Sequence, residues 1–365
     1  MSKIVSIGTA VPKYKHEQGR ILQFMQDVYA MDETERRKLR FLYGHSGIDT
    51  RYSVIRDYSR PVAEWKFYPQ SENLEPFPSL EHRMTWFNKY AAPLSVDAIR
   101  NCIDGKLHDQ DITHLITVSC TGMSAPGLDL QVMDLMDLPK NIYRTSINFM
   151  GCYAAIHALK LADAICNTDA HAKVMIVCTE LCTLHFQREA TQDNIASSLL
   201  FGDGSAAMLV LPDNAVRPGL KLDGFYAEVV TKGRKDMAWE LSSSGFLMTL
   251  SSYIPELLQE DCEPLVERAL KQKGLDKRSV THWCVHPGGK RILESVHKSL
   301  QLHNGELKDS YDVLKRYGNM SSPTILFVLK EMLQSILQKP GDGNQKLFGV
   351  AFGPGLTMET FLASY

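Results

Sequence analysis

Apolar and polar positions along the chain fall into two alternating textures. Short apolar runs of strand length recur between longer stretches with helical spacing. His114–Ser119 (HLITVS) reads as a strand, Gly127–Leu138 as a helix and Tyr143–Met150 (YRTSINFM) as a second strand. Cys152–Cys166 follows with the small and apolar residues of a buried helix, and Lys173–Thr179 (KVMIVCT) and Ser205–Leu211 (SAAMLVL) read as further strands. The Pro- and Gly-containing stretch Leu211–Leu220 marks a boundary. Beyond it the pattern restarts: strand Phe225–Val230, helix Pro255–Lys271, strand Thr281–Val285, helices Gly289–Gln301 and Ser322–Leu337, and strand Lys346–Phe352. Such alternation predicts layered α/β architecture, with a split between residues 1–220 and 221–365. No residue-level internal repeat is visible.

Composition narrows the class without naming a chemistry. The 365 residues are too many for one small domain. A total of 40 Lys and Arg against 42 Asp and Glu leaves a net charge of −2, which argues against a nucleic-acid-coating role. The opening MSKIVSIGTAVPKYKHEQ breaks its apolar run at Gly8 and Thr9, so no signal peptide is expected. No run of 18 apolar residues occurs, so no membrane span is expected. The 8 cysteines are too sparse for a secreted disulfide scaffold and fit reduced thiols in a cytoplasmic enzyme.

Three residues carry the chemical reading. Cys152 follows a strand and Gly151 and opens a helix. A thiol there feels the positive end of the helix dipole, which favours thiolate; a lone cysteine is also commonly a small core residue. His286 ends the strand of THWCVHPGG, where open α/β sheets place ligands; a turn histidine bonded to backbone is the plain alternative. Asn319 lies in RYGNMSSPTILF, where it can equally serve as a turn or cap residue. Together they suit one chemistry. Cysteine attacks a thioester and holds the acyl group. Histidine and asparagine donate hydrogen bonds to a thioester oxygen that gains charge as malonyl loses CO2.

GCYAAIHAL, VHPGGKRIL, YGNMSSPTILF and FGPGLTMET, in this order, resemble the type III polyketide synthases, the chalcone synthase-like condensing enzymes. The resemblance runs from near Ile4 to Phe361. It implies a thiolase-like fold of two pseudo-symmetric halves in αβαβα layers. The first half would carry the nucleophile Cys152, and the second His286 and Asn319. It further implies that His286 pairs with the Cys152 thiolate, that the enzyme is a homodimer, and that free acyl-CoA and malonyl-CoA are its substrates, with no metal or redox cofactor. By family position Phe201 is a gatekeeper, Met248 stands where a second gatekeeper Phe is usual, and Phe246 would share its strand face. Gly353 and Pro354 belong to the loop that shapes the cyclisation pocket, and Ser321 adjoins Asn319.

Other positions depart from the plant pattern. Trp239 aligns with a glycine, so it should block one direction of the cavity, although a large core aromatic is equally consistent. Ala125 replaces a methionine that crosses the dimer. Cys182 and His185 fall beside the polyketide cavity; with Cys178 they could be tested as metal ligands, but no fourth ligand follows at suitable spacing. In the basic run Arg36–Arg40, Lys38 and Arg40 are the positions expected to hold CoA phosphates, while His45 replaces a common CoA-binding lysine. The resulting expectation is iterative condensation onto a fatty acyl starter with closure to a pyrone, resorcinol or phloroglucinol. Alternatives are a single-step β-ketoacyl carrier-protein synthase III-like condensation, or a catalytically silent acyl-CoA-binding subunit.

Overall fold

The computed structural model describes residues 1–71, 73–338 and 345–365. The first half contributes β1 (Ser2–Ala10), an outlying antiparallel pair of β2 (Tyr14–Glu17) and β3 (Thr50–Ser53), and then β4 (His114–Ser119), β5 (Tyr143–Asn148), β6 (Val174–Leu181) and β7 (Asp203–Pro212). The second half contributes β8 (Leu220–Val229), a hairpin of β9 (Met237–Ser242) and β10 (Gly245–Leu250), and then β11 (His282–Val285), β12 (Lys346–Gly353) and β13 (Thr357–Ser364). Nine of these strands run in the order β11-β12-β13-β8-β1-β7-β6-β4-β5.

The repeat hidden in the residues is visible in the pairing. From β1 outward the ladder is antiparallel to β7, antiparallel to β6, then parallel to β4. From β8 outward it is antiparallel to β13, antiparallel to β12, then parallel to β11. The two sets meet only where Lys3 and Ile4 pair with Lys221 and Leu220.

Strand alternation distributes side chains into three cores. On β6, Ile176 and Cys178 join a central core while Met175 and Val177 join an outer one. On β12, Leu347 and Ala351 join the same central core while Phe348 and Val350 join a second outer one. The central core is filled by two helices, Ala154–Thr168 and Thr324–Gln338. The long helix Leu80–Ile103 covers the first outer face, and helices Ile254–Lys271 and Lys290–Ser299 cover the second. Five layers, αβαβα, result. Strands β6 and β7 are buried at every position, as expected for strands covered on both faces.

Candidate active site

Each central helix presents a chemical residue just ahead of its first turn. Cys152 lies in a short 3-10 turn, Gly151–Tyr153, before helix Ala154–Thr168. The approach to it is strained, since Phe149 has φ of 57°. Gly151 has φ of 79°, and a Cβ there would lie 2.2 Å from Pro354 Cδ, so only glycine fits. At Gly353 a Cβ would lie 2.6 Å from Tyr153 Cδ1, so this loop seats directly on the cysteine turn. Asn319 precedes the other central helix. Its side-chain oxygen accepts from the Ser321 N–H at 2.8 Å, which orients the amide, and its Nδ2 donates to the Gly288 carbonyl at 3.2 Å. The same side chain also acts as a hydrogen-bond partner of the Cys152 sulfur.

His286 ends β11 and continues the ladder through its N–H to the Val350 carbonyl at 2.9 Å. It is buried, and neither ring nitrogen has a hydrogen-bond partner among the described residues. Desolvation pushes its pKa down to about 3, so the ring is neutral. The expected hydrogen bond between His286 and Cys152 is therefore absent in this arrangement. The Cys152 thiol instead reaches the Ser321 hydroxyl, Sγ to Oγ 3.5 Å. Burial also works against the thiolate expected from helix position. Although partly exposed, the thiol is enclosed enough that burial raises its pKa to about 11, with the Glu180 charge adding to the rise.

Cys152, His286, Asn319 and Ser321 line one cavity of about 790 Å3, together with Phe201, Met248, Trp239, Cys182, Pro354 and Phe352. Its exposed lining residues, Phe41, Leu42, His45, Gln192, Ser252, Arg291 and Glu294, mark the mouth. Phe201 is tied to Asn319 by backbone: Gly202 N–H to the Asn319 carbonyl and Asn319 N–H to the Leu200 carbonyl, both 2.9 Å. The buried Arg51 guanidinium holds the Phe201 carbonyl at 2.6 Å and Gln18 Oε1 at 2.9 Å.

Several sequence-based placements change. His185 lines only a narrow pocket behind the cavity. Its Nδ1 accepts from the Phe246 N–H at 3.2 Å, so Nε2 carries the proton and donates to the Thr121 carbonyl at 2.7 Å. It stacks on Phe246 at 4.3 Å and meets Trp239 edge-on at 5.6 Å. Trp239 Nε1 donates to the Cys120 carbonyl at 2.7 Å. Trp239 and Met248 pair across the β9–β10 hairpin, with Phe246 on the same face. Ala125 is exposed and does not line the cavity of this chain, and Gly353 contributes contact with the cysteine turn rather than lining. Lys38 and Arg40 are exposed and lie outside the mouth. The cations there are Lys290 and Arg291, which open helix Lys290–Ser299.

Glu180 escaped the sequence reading. It is fully buried on β6 and accepts from the Cys120 N–H (2.9 Å), Thr121 Oγ1 (2.7 Å), Ser322 Oγ (2.8 Å) and Ser119 Oγ (3.4 Å). Burial still raises its pKa to about 7. The signal was an acid inside an otherwise apolar run, KVMIVCTELC.

Comparison with known proteins decides the family. Profiles of the chalcone and stilbene synthases match residues 1–214 for the N-terminal domain and 222–364 for the C-terminal domain. The chain belongs to this family. Its members are acyl-transferring condensing enzymes, the type III polyketide synthases. Type III polyketide synthase A of Arabidopsis thaliana is 28% identical over 98% of this chain and 91% of its own length. The alpha-pyrone synthesis polyketide synthase-like Pks18 of Mycobacterium tuberculosis is 27% identical over 98% and 90%. This type III polyketide synthase chain also matches probable polyketide synthase 1 of Dictyostelium discoideum at 28% identity, spanning 98% of this chain but only 11% of that protein's length. The crystal structure of PKS-I from the brown alga Ectocarpus siliculosus superposes with a TM-score of 0.93 at 27% identity, covering 100% of this chain and 98% of that one. The fold is thus thiolase-like. Among the described residues no helix is long and apolar enough to cross a membrane.

Proposed function

We propose that this chain loads an aliphatic acyl group from acyl-CoA onto Cys152 and extends it iteratively with malonyl-CoA before ring closure. In the loading step Cys152 Sγ bonds to the acyl carbon and the bond to CoA sulfur breaks, with the thiol proton leaving on CoA. His286 relays that proton, having a neutral ring and no competing hydrogen bond. In extension the malonyl carbon–carboxylate bond breaks and CO2 departs. The electron pair develops as an enolate on the thioester oxygen, which accepts from a His286 N–H and from the Asn319 amide beside the Cys152 sulfur. The enolate carbon then attacks the acyl carbonyl, and Cys152 leaves as thiolate to accept the chain again. Bond making here is redox-neutral, so thioesters and side chains suffice, with no metal or redox cofactor.

The single observation that carries this reading is the one cavity lined by Cys152, Asn319 and a His286 ring that has no hydrogen-bond partner among the described residues. An aliphatic starter is favoured by walls of Ile195, Leu199, Met237, Leu250 and Ile254; the Lys, Arg and Glu residues lining the cavity all lie on helix Lys290–Ser299. A homodimer fits the edge strand β5, whose Tyr143, Arg144, Thr145, Ser146 and Asn148 are exposed, with Met123 and Leu135 also exposed on neighbouring segments.

The test combines intact mass and labelled CO2. Wild type given acyl-CoA should gain one acyl adduct and release CO2 from malonyl-CoA; Cys152→Ala should gain none. An equal adduct on that variant would move the nucleophile elsewhere, and no CO2 from wild type would sink the proposal.

A further inference from the structure

Resting on the reading that CoA thioesters enter this cavity, we propose that Phe41 and His45 form a stacking platform for the adenine of CoA. Phe41 is 63% exposed although it lines the cavity mouth. A large ring left in water at the entrance to a cavity is a surface awaiting a ligand. The ring is not loose. His45 stacks on it at 4.0 Å with an interplanar angle of 30°, and His45 Nδ1 is held by the Phe41 carbonyl at 2.8 Å. One face of Phe41 is therefore occupied and its pose fixed, leaving the other face for a planar partner.

Charge identifies that partner as a nucleotide rather than an aromatic acyl group. Lys290 packs its stem against Gly47, two residues beyond His45, with its Cδ 3.4 Å from where a Cβ would stand. Arg291 follows it at the same mouth. Lys38 lies on the helix face of Phe41, Leu42 and His45, one turn outward. A cation on the same helix and two on the helix that shares the mouth suit a base carried with phosphates. The platform stands in place of a cation at position 45 and replaces a point charge with stacking, which carries no preference for the acyl group. It sets the demand for the nucleotide end of the substrate, while the deep cavity reads the acyl end.

Calorimetric binding of free CoA and of 4′-phosphopantetheine, which lacks the adenosine, tests this without turnover. Phe41→Ser should weaken CoA binding by roughly 5- to 100-fold, the range of one lost base stack, and leave 4′-phosphopantetheine unchanged. Phe41→Trp should retain CoA. CoA binding unaltered in Phe41→Ser, an equal loss for 4′-phosphopantetheine, or no CoA binding by wild type would each overturn the platform. Failure of CO2 release with CoA binding intact would instead indict the catalytic reading.

Discussion

Cys182, Phe201, Trp239 and Met248 each face two spaces: the cavity of about 790 Å3 that holds Cys152, and a pocket of about 40 Å3 behind it. Each space has a buried histidine, and burial drives both His286 and His185 down to about pKa 3. Titration alone does not tell them apart. Their hydrogen bonds do. His185 spends both ring nitrogens, on the Thr121 carbonyl and the Phe246 N–H, whereas His286 spends neither among the described residues. In a buried site the group with unspent hydrogen-bonding capacity is the one arranged for a transient partner, because leaving it unsatisfied costs stability that only function repays.

Removing each histidine in turn should split the pair most strongly. His286→Ala should lower CO2 release from malonyl-CoA by about 100- to 1000-fold, the cost of one donor to a developing oxyanion. Its fold should survive, since no hydrogen bond is lost. His185→Ala should do the reverse: decarboxylation within about tenfold of wild type, but a lower urea midpoint, because the Thr121 carbonyl and Phe246 N–H are left unpaired at about 1–3 kcal/mol each. Decarboxylation abolished in a well-folded His185→Ala would erase the distinction.

The shared wall is the next target. Trp239 closes the narrow pocket with His185 and Phe246, anchored by its indole N–H. Trp239→Gly should join the two spaces and shift products toward longer acyl starters or more extensions, read by mass spectrometry across an acyl-CoA series. CO2 release should change less than the product profile. An unchanged profile would mean that Trp239 supports the hairpin without limiting the chain.

How far the chain could be read from its letters follows the same division. Cys152, His286 and Asn319 stood out because each sits at the end of a strand or the start of a helix, where the backbone points a side chain into shared space. Layered α/β architecture was legible through alternation and its five layers only through the family resemblance; the pairing repeat was not, because strand order is set by contacts between distant residues such as Ile4 and Leu220. Lys38 and Arg40 were favoured within the basic run by family position, yet the residues at the mouth include Phe41, Leu42 and His45 on the same helix, with Lys290 and Arg291 on another. Helical phase and tertiary approach decide that, and neither is written in a basic run. The thiolate argument at Cys152 is incomplete for a related reason: the helix-start reading counts the local dipole but not the desolvation imposed by the enclosing walls.

Glu180 sharpens the contrast at the smallest scale. Its charge is one cause that holds the Cys152 thiol near pKa 11, after burial itself. Glutamine can replace it with little loss: its carbonyl can keep the Cys120 and Thr121 donors while its amide donates to the Ser322 hydroxyl, which accepts as readily as it donates. With the carboxylate gone the thiolate is less disfavoured, so Glu180→Gln should be alkylated at Cys152 a few-fold faster than wild type at pH 8, and about tenfold at most. Glu180 itself titrates at about 7. Its charge is present above that pH and vanishes as pH falls through it, so the two rates should converge by about pH 6. A raised carboxylate also destabilises the fold as pH rises from the ordinary value of 4.5 through 7, a decline that Glu180→Gln should remove. Alkylation curves that stay parallel from pH 6 to 8 would show that Glu180 does not act on the thiol through charge, leaving burial as the sole cause of its silence at rest.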